Sequence, residues 1–575
     1  MHLLLGLLLL ILAGGAVQAQ PSGQRFVSIA FHDVDNRADD LEADSVTSKV
    51  LAQFFDWLKG TGWTAITLDD IAAAARGTRP LPDKAILITF DDGYKSLYTK
   101  VFPLLRVYRF PIVAALVGTW MEGGTGSTSV GAPEGSVLYG DRIVPRSTFI
   151  TWEEAREMQA SGLVEFASHS YNLHRGVPAN PQGNNIPAAL TWKYDPATRQ
   201  YETDAQYKAR IRTDLEQSRR QMAANLGRAP RAMVWPFGRY SVPALEMAKA
   251  AGFTFALTLE PEPAFTSDLY AIHRYFPSRN PSVSDIARNL RFEPDDPATR
   301  RVACVSLDGL AAVGPGEPQN AALGAMIEGL RTLGANVAII DAHVATPTPD
   351  APLQAVYFPN RFLPMRADLL SRVSWQLRTR GGVDAFLRLP IGPAAAAIGE
   401  ARVPELFADM MRQTASDGLT LDGMATPTSI VSDRPENIRA RRKALDLATL
   451  DPQTRLALAA YRGAATIDPR QRLMLALPAP GGPPTWADLA LLPAAPDVAA
   501  IAALAGKLRA EGWFRPEVAG RVVLTLPSNP SQQVEAIRRA QRQGASAVAL
   551  CPNTTLPPPA GLPAAFSAAT YPYKP

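Results

Sequence analysis

The chain has 575 residues, enough for two or more domains with complete hydrophobic cores. Its hydrophobic fraction of 47% and charged fraction of 19% are typical of a globular protein. The formal net charge is only +4, so nothing in the composition indicates a nucleic-acid-binding protein.

The first 19 residues have the pattern of a secretory signal peptide. An apolar stretch over residues 3–12 is followed by small residues, and Val17-Gln18-Ala19 has the form of a cleavage site. We therefore expect a mature chain that begins at Gln20 and works in the periplasm, without a lipid anchor because no cysteine lies near the cleavage site. The alternative is an uncleaved membrane anchor, for which the apolar stretch is short.

Apolar segments typical of strands alternate with amphipathic segments typical of helices, a pattern that predicts parallel α/β architecture. In the first half, strands are predicted at residues 26–32, 63–68, 85–90, 111–117, 163–168, 232–235 and 253–259. In the second half, strands are predicted at residues 301–307, 335–340, 383–389, 418–423, 472–477, 521–526 and 545–550. Because residues 280–299 lose this periodicity, we predict a first domain over residues 20–280, a linker over residues 281–300 and a second domain over residues 301–575.

The strands of the second half predict a (β/α) barrel, either incomplete or with an eighth strand that the pattern hides. If the barrel closes, its first and last strands are neighbours, which brings Cys304 and Cys551 near each other. A secreted compartment permits a disulfide between them, and the alternative is two buried free thiols.

Two adjacent carboxylates, Asp91 and Asp92, follow the apolar strand predicted at residues 85–90. Neighbouring aspartates repel each other when both are ionised, unless a cation neutralises one of them and the other works as a base. By itself, an Asp-Asp-Gly sequence at the end of a strand is more often a turn.

Two of the six histidines of the chain, His169 and His174, follow another predicted strand. One aspartate with two histidines is a common open ligand set for a catalytic divalent metal. Together with Asp91 and Asp92, this pair therefore predicts a metal site where the strands end. The ligand types suit zinc, cobalt, nickel or ferrous iron alike.

Three segments resemble the main motifs of the polysaccharide deacetylases of carbohydrate esterase family 4, the NodB-homology type. They are residues 89–93 (Thr-Phe-Asp-Asp-Gly), 169–174 (His-Ser-x-x-x-His) and 235–238 (Trp-Pro-Phe-Gly). The sequence His32-Asp33-Val34, the five-residue spacing of the two histidines and the length of the second domain resemble the branch that acts on poly-β-1,6-N-acetylglucosamine in biofilms. This resemblance implies a distorted (β/α) barrel deacetylase domain, followed by a glycoside hydrolase-like (β/α) barrel.

The resemblance also implies the roles of the motif residues. Asp92, His169 and His174 would hold one divalent metal ion, which polarises an acetamide carbonyl and activates water. Asp91 would be the general base, and the backbone N–H of Tyr94 would help to stabilise the oxyanion.

A general acid must protonate the leaving amine, and two histidines are candidates. We favour His32, which ends the first predicted strand and has Asp33 beside it to orient the ring. His273 is the alternative, because most relatives take this histidine from a late strand. For the substrate groove we expect the flat faces of Tyr94 and Trp235 together with Phe237, although core packing is an equal alternative for Trp235.

The second domain departs from the family pattern at the end of its fourth strand. Asp422 is followed by residues 424–427, Met-Ala-Thr-Pro, where the family has a His-Asp-Asp cluster. Glycoside hydrolysis needs two carboxylates, and only Asp422 remains, with Asp308 and Asp341 as candidates for the second, so we expect little or no glycosidase activity. Asp422 is then a residue of a degenerate, polymer-binding barrel.

These features favour a metal-dependent enzyme that removes N-acetyl groups from exported poly-N-acetylglucosamine. One alternative is the same chemistry on peptidoglycan or chitin oligomers. Another is a catalytically dead polysaccharide-binding or secretion scaffold, against which the complete set of motif aspartates and histidines argues. We expect a monomer, with the polymer and the outer-membrane export machinery as candidate partners and no nucleic acid.

Overall fold

The computed structural model describes residues 23–37, 44–122, 135–139, 142–292, 299–422, 435–515, 518–552 and 554–566. The predicted signal peptide and residues 424–427 lie outside the described residues. Within the described part of the chain, no helix combines the length and the apolar character needed to cross a bilayer.

The first half of the chain alternates short strands and helices. Its strands are β1 (Arg25–Phe31), β2 (Val34–Asp35), β3 (Val46–Thr47), β4 (Thr64–Ala65), β5 (Ala85–Phe90), β6 (Ile112–Leu116), β7 (Ser136–Tyr139), β8 (Arg142–Pro145), β9 (Val164–Ser168), β10 (Gly176–Pro178), β11 (Asn185–Pro187), β12 (Tyr194–Asp195), β13 (Gln200–Tyr201), β14 (Ala232–Val234), β15 (Phe255–Leu257) and β16 (Ala264–Phe265). Its helices are α1 (Ser48–Gly60), α2 (Leu68–Ala75), α3 (Phe102–Tyr108), α4 (Gly118–Glu122), α5 (Trp152–Ala160), α6 (Asp204–Leu226), α7 (Val242–Ala250) and α8 (Val283–Arg291).

One sheet, curled into a half-barrel, forms the centre of this half. Its strand order is β15-β14-β9-β6-β5-β1-β16, with β4 also paired to β5, and all pairs except β1 with β16 are parallel. Every residue of β5 is buried, which explains its continuous apolar sequence, since helices cover both faces of a parallel sheet. All these parallel strands end at one edge of the sheet, where their polar flanking residues come together.

Part of the predicted linker is helical. The helix α8 begins after Ser282, whose side chain caps it, and buries Ile286 and Leu290 in the same hydrophobic cluster as the strands and helices of the first half. The prolines near residue 281 thus flank a short amphipathic helix and do not break it. The division into domains stays a prediction.

The second half forms a closed parallel barrel of eight strands. Its strands are β17 (Arg300–Val305), β18 (Val337–Asp341), β19 (Asp384–Arg388), β20 (Gly418–Asp422), β21 (Arg472–Ala476), β22 (Leu489–Leu491), β23 (Val522–Thr525) and β24 (Ala547–Leu550). Its helices are α9 (Asp308–Ala312), α10 (Glu317–Leu333), α11 (Leu370–Gly381), α12 (Ile391–Ile398), α13 (Val403–Gln413), α14 (Pro435–Ala444), α15 (Pro452–Ala465), α16 (Val498–Ala510), α17 (Pro530–Arg542) and α18 (Leu562–Phe566).

This barrel confirms the predicted fold class. The strand that the sequence pattern hides is β22, which is only three residues long. The barrel closes because β17 pairs with β24, and Cys304 and Cys551 form a disulfide across this seam.

The two halves pack directly against each other. Trp192 and Trp235 from the first half belong to one hydrophobic cluster with side chains of the barrel and its helices. Around this cluster, Arg412 on α13 binds Asp204 on α6 at 3.0 Å, and Tyr201 donates a hydrogen bond to Asp368. Residues from both halves therefore line the clefts between them.

Asp368, buried in this interface, predicts a pH dependence of stability. Burial raises its pKa to about 6, although the hydrogen bond from Tyr201 opposes the shift. A carboxyl with a raised pKa binds more protons in the folded state than in the unfolded state. Its ionisation therefore lowers the free energy of unfolding as the pH rises from about 4 to 6, and the loss is complete above that. At pH 8, we expect Asp368→Asn to increase the free energy of unfolding by about 2 kcal/mol.

Urea titrations at pH 4 and pH 8 measure this difference. We expect the gain to shrink towards pH 4, where Asp368 is protonated in the wild type. The exposed Asp350 serves as a matched control, and Asp350→Asn should change neither value. A gain that is equal at both pH values would contradict the buried-carboxyl explanation.

Candidate metal centre and active site

The site lies at the edge where β1, β5, β9 and β14 end. The N–H of Asp91 donates to the carbonyl of Phe31 at 2.8 Å, and the N–H of His169 donates to the carbonyl of Leu116 at 2.9 Å. These backbone bonds extend the sheet by one residue beyond its strands. The side chains of both motifs therefore leave the sheet at the same edge, from the two strands that flank β6.

Asp92, His169 and His174 converge on one point, as predicted. One ligand atom from each lies within 4.8 Å of the other two. Asp92 Oδ1 is 3.4 Å from His169 Nε2 and 3.3 Å from His174 Nε2. The backbone of Asp92 is in the left-handed region at φ 72°, a sharp turn that directs its carboxylate inward.

These three side chains fit a divalent cation. Asp92 Oδ1 is buried and accepts no hydrogen bond from the described residues, which is costly without a cation. His169 Nδ1 lies 2.7 Å from the carbonyl of Val234, so donation there leaves Nε2 free as a metal ligand. Burial lowers the pKa of His174 to about 4, which favours the neutral form that binds metals.

Electrostatics also keeps Asp92 ionised. Burial by itself would raise its pKa, but the neighbouring His174 and His169 outweigh this and hold the pKa well below its ordinary value. The donor set is therefore a buried carboxylate with two imidazoles, and it does not select among zinc, cobalt, nickel and ferrous iron.

Asp91 is held by Arg274, which the sequence analysis did not single out. Arg274 is fully buried, and its two terminal nitrogens donate to the two carboxylate oxygens of Asp91 at 2.8 and 2.9 Å. It also donates to the Thr89 hydroxyl and the Thr258 carbonyl. Burial raises the pKa of Asp91, but Arg274 more than compensates and keeps the carboxyl ionised. In the sequence, the only signal is an arginine directly after His273.

His32 lies beside this pair, with Nε2 at 4.0 Å from Asp91 Oδ2. Its ring packs against Phe276, at 4.6 Å between ring centroids. The expectation that Asp33 orients the ring is wrong, because Asp33 accepts hydrogen bonds from Ser96 Oγ at 2.6 Å and from the N–H of Val34. Nδ1 of His32 is buried and has no hydrogen-bond partner among the described residues.

His273, the alternative acid, does not reach Asp91 in this arrangement. Its Nδ1 lies 3.1 Å from Thr258 Oγ1 and 3.3 Å from Glu260. The side chain lines a separate cavity of about 760 Å³ between the two halves of the molecule. The geometry thus brings His32, and not His273, to the carboxylate pair.

Of the expected groove residues, Phe237 is exposed and Trp235 is buried. Phe237 is 43% exposed, and its ring centroid lies 4.4 Å from that of His174. Trp235 is completely buried and stacks on Tyr240, so the prediction that it binds substrate is wrong. The cause is the inter-domain core, which covers the ring and which no local pattern of the first half reveals.

The ring of Tyr94 is also largely committed to packing. It contacts Phe149, and its hydroxyl donates to the Tyr139 hydroxyl at 2.5 Å. Tyr94 therefore does not offer a free aromatic face to a sugar. The role of its backbone N–H stays a prediction.

A second residue that the sequence analysis missed is Asp214 on α6. Its carboxylate accepts the N–H groups of Tyr171 at 2.8 Å and Asn172 at 2.7 Å, in the loop that joins His169 to His174. Burial raises the pKa of Asp214 to about 6, against the effect of these hydrogen bonds. Asp214 thus fixes the loop that joins His169 to His174.

Asp422 lies at the carboxyl end of β20, at the mouth of the barrel. Burial and, to a smaller extent, the nearby Asp341 raise its pKa, while Arg388 opposes them. Asp341 is itself bound by Arg388 through two hydrogen bonds, and Asp308 accepts one from Tyr357. Asp341 and Asp308 are thus both hydrogen-bonded to neighbouring side chains.

Comparisons with known proteins agree with this site. Residues 78–256 match the family described as polysaccharide deacetylase, and residues 314–396 match the one described as hypothetical glycosyl hydrolase family 13. Over 366 residues the chain is 35% identical to poly-beta-1,6-N-acetyl-D-glucosamine N-deacetylase of Escherichia coli K12, in an alignment that covers 64% of this chain and 53% of that protein. The chain thus spans about half the length of the curated relatives that it matches.

Two solved structures are similar to part of the chain. A de-N-acetylase from Aggregatibacter actinomycetemcomitans is 32% identical, with a TM-score of 0.42, and the match covers 46% of this chain and 100% of that one. The deacetylase domain of BpsB from Bordetella bronchiseptica is 39% identical, with a TM-score of 0.40, and the match covers 44% of this chain and 97% of that one.

Residues 78–256 of the chain thus form a polysaccharide deacetylase domain. The second half of the chain contains a glycoside hydrolase-like domain. The predicted family and the order of the two domains are therefore confirmed.

Proposed function

We propose that this protein is a metal-dependent N-deacetylase of poly-β-1,6-N-acetylglucosamine. The observation that carries the proposal is the convergence of Asp92, His169 and His174 beside the Arg274-bound carboxylate of Asp91. The substrate follows from the Escherichia coli relative, whose name gives this polymer. The chain retains all the aspartates and histidines of the motifs, and this favours an enzyme over a catalytically dead scaffold.

In the proposed reaction, Asp92, His169 and His174 hold a divalent ion, which supplies Lewis-acid polarisation of the amide and acidifies water when bound. Asp91 takes the proton of the attacking water at a carboxylate oxygen, and Arg274 orients that carboxylate. The backbone N–H of Tyr94 donates to the oxyanion. His32 delivers a proton to the leaving nitrogen, so that acetate and a free amine are released.

We further propose that the protein acts in the periplasm on polymer that is being exported, as a monomer with export proteins as partners. The predicted signal peptide and the tandem barrel support this context. The barrel would bind the polymer and not cut it. The divalent ion could be zinc, cobalt, nickel or ferrous iron, and metal analysis of the purified protein decides among them.

Acetate release tests the proposal. The purified protein should release acetate from poly-β-1,6-N-acetylglucosamine, lose this activity with a chelator and regain it with one of the four metals. Chitin oligomers and peptidoglycan should give much slower release. Release from these alternative substrates but not from the β-1,6-linked polymer would overturn the proposed specificity.

The two candidate acids predict different outcomes on substitution. His32→Ala should lower kcat by about 10²–10⁴-fold, as is typical for loss of a general acid, with metal content retained. His273→Ala should change kcat by less than about threefold, because its side chain faces Glu260 and another cavity. Acetate release and metal content of both variants measure this, and the reverse order would assign the acid to His273.

The barrel offers a further prediction. Partly deacetylated polymer incubated with the protein should keep its length, because Asp341 and Asp308 are held by Arg388 and Tyr357 and leave Asp422 without a second free carboxylate among the described residues. Size-exclusion chromatography of the products measures chain length. Shortening that Asp422→Asn abolishes would show instead that the barrel is a glycosidase.

A further inference from the structure

A cavity of about 390 Å³ adjoins the metal site and is shared by both halves of the molecule. Its wall consists of Gly176, Asn185, Pro187, Phe237, Arg239, Trp375, Arg378 and Thr379. Phe237 connects it to the site, since its ring also contacts that of the ligand His174. The volume is in the range of small-molecule sites, so a sugar that neighbours the reacting one has room there.

Two aromatic side chains give this cavity the character of a sugar subsite. Phe237 from the first half is exposed, and Trp375 on α11 of the barrel is partly buried against residues of both halves. Aromatic rings offer large apolar surfaces that carry no charge and suit the faces of pyranose rings. The barrel therefore supplies one wall of a cavity that begins at the deacetylase site.

The charged side chains in the wall are both arginines, and the described lining includes no carboxylate. Arg378 is bound to Asp417 at 2.7 Å. The guanidinium of Arg239 has neither a hydrogen bond nor an ion pair with the described residues, whereas nearby Arg470 is bound to Asp468. Burial and the neighbouring Arg470 and Arg378 lower the pKa of Arg239 to about 10, despite Asp417 and Asp468 close by. Arg239 remains a cation at neutral pH.

We propose that this cavity admits a neutral N-acetylated sugar next to the reacting one and rejects a sugar that carries a free, protonated amine. The inference rests on the proposed function and adds a specificity residue, Arg239. A guanidinium without a partner donates hydrogen bonds to hydroxyl or acetamide oxygens, but it repels an ammonium group in a partly desolvated cavity. As a consequence, an N-acetylated sugar whose neighbour in this cavity carries a free amine is a poor substrate. The free amines are therefore spaced apart along the polymer, and deacetylation remains partial.

Defined β-1,6-linked tetramers test this, one fully N-acetylated and others with a single free amine at each position. In the wild type, a free amine at one neighbouring position should lower kcat/KM for acetate release by about tenfold. Arg239→Gln should reduce this discrimination to about threefold and Arg239→Glu should remove it. Arg380 lies on α11 outside the cavity wall, so Arg380→Gln is the matched control and should keep the wild-type ratio.

Binding of the same tetramers to metal-loaded Asp91→Asn protein gives a second readout that needs no turnover. The ratio of dissociation constants should follow the same order and should shrink with added salt. A wild type that binds and hydrolyses all tetramers alike, or a discrimination that Arg239→Glu leaves intact, overturns the inference. If no tetramer releases acetate, the proposed function fails, while the binding ratio still decides the role of Arg239.

Discussion

Replacing Asp91 with asparagine is expected to lower kcat for acetate release by about 10²–10⁴-fold. The amide is nearly the same size as the carboxylate and still accepts a hydrogen bond from Arg274, but it does not take up a proton. Because Asp92, His169 and His174 are unchanged, the variant should retain its metal. Steady-state acetate release and elemental analysis of the same preparation measure both properties.

The exposed Asp56 on α1 is a suitable control for this substitution, since it lies outside the site and hydrogen-bonds only the hydroxyl of Tyr108 among the described residues. Asp56→Asn should leave kcat within about twofold of the wild type, as substitutions away from the chemistry do. An Asp91→Asn protein with nearly full activity would remove Asp91 from the role of general base. Loss of metal in this variant would instead make Asp91 part of the metal site.

Replacing Arg274 with methionine is expected to destabilise the protein by about 3–5 kcal/mol, because it leaves the ionised carboxylate of Asp91 buried without its partner. Asp91 and Arg274 are 2% and 0% exposed, so water does not replace the lost interaction. The same change also frees the carboxylate to rotate and should lower kcat. The free energy of unfolding from urea titration of the metal-free protein measures the first effect.

A double-mutant cycle separates the energy of the ion pair between Asp91 and Arg274 from the contribution of the rest of the arginine side chain. Asp91→Asn combined with Arg274→Met should recover part of the loss, since no buried charge is then left unpaired. Arg231, which binds Glu165 and Asp69 at the partly exposed surface, is the matched control. Arg231→Met should cost about 1 kcal/mol or less. If Arg274→Met and Arg231→Met lowered the free energy of unfolding equally, the buried ion pair would contribute no more to stability than a surface one.

The sequence predicted most of the architecture because strand and helix patterns are local. Residues 85–90 are recognisable as a strand since every one of them is buried in the sheet, and the structure gives the same bounds to β5. The strand β22 escaped recognition because three residues are too few for a pattern. The helix α8 was missed for a similar reason, since prolines on both sides disguised its short amphipathic repeat.

The convergence of three candidate ligands was also predictable, because each follows a strand whose end is visible in the sequence. Asp92, His169 and His174 come from two short segments, and parallel strands bring such ends to one edge. The supporting residues were not predictable in the same way. Asp214 reaches the ligand loop from the side of a long helix, and its spacing from the histidines carries no local signal.

The sequence by itself thus determined the α/β architecture of both halves and the three side chains that converge on one point, since both depend on patterns within a few residues. Only the tertiary structure decided that Arg274, 183 residues away in the chain, binds Asp91. It also placed Trp235 in the inter-domain core and His32, not His273, beside the carboxylates. The physical reason is that these contacts depend on which distant surfaces are buried together, and a linear pattern does not record the partner that covers a side chain.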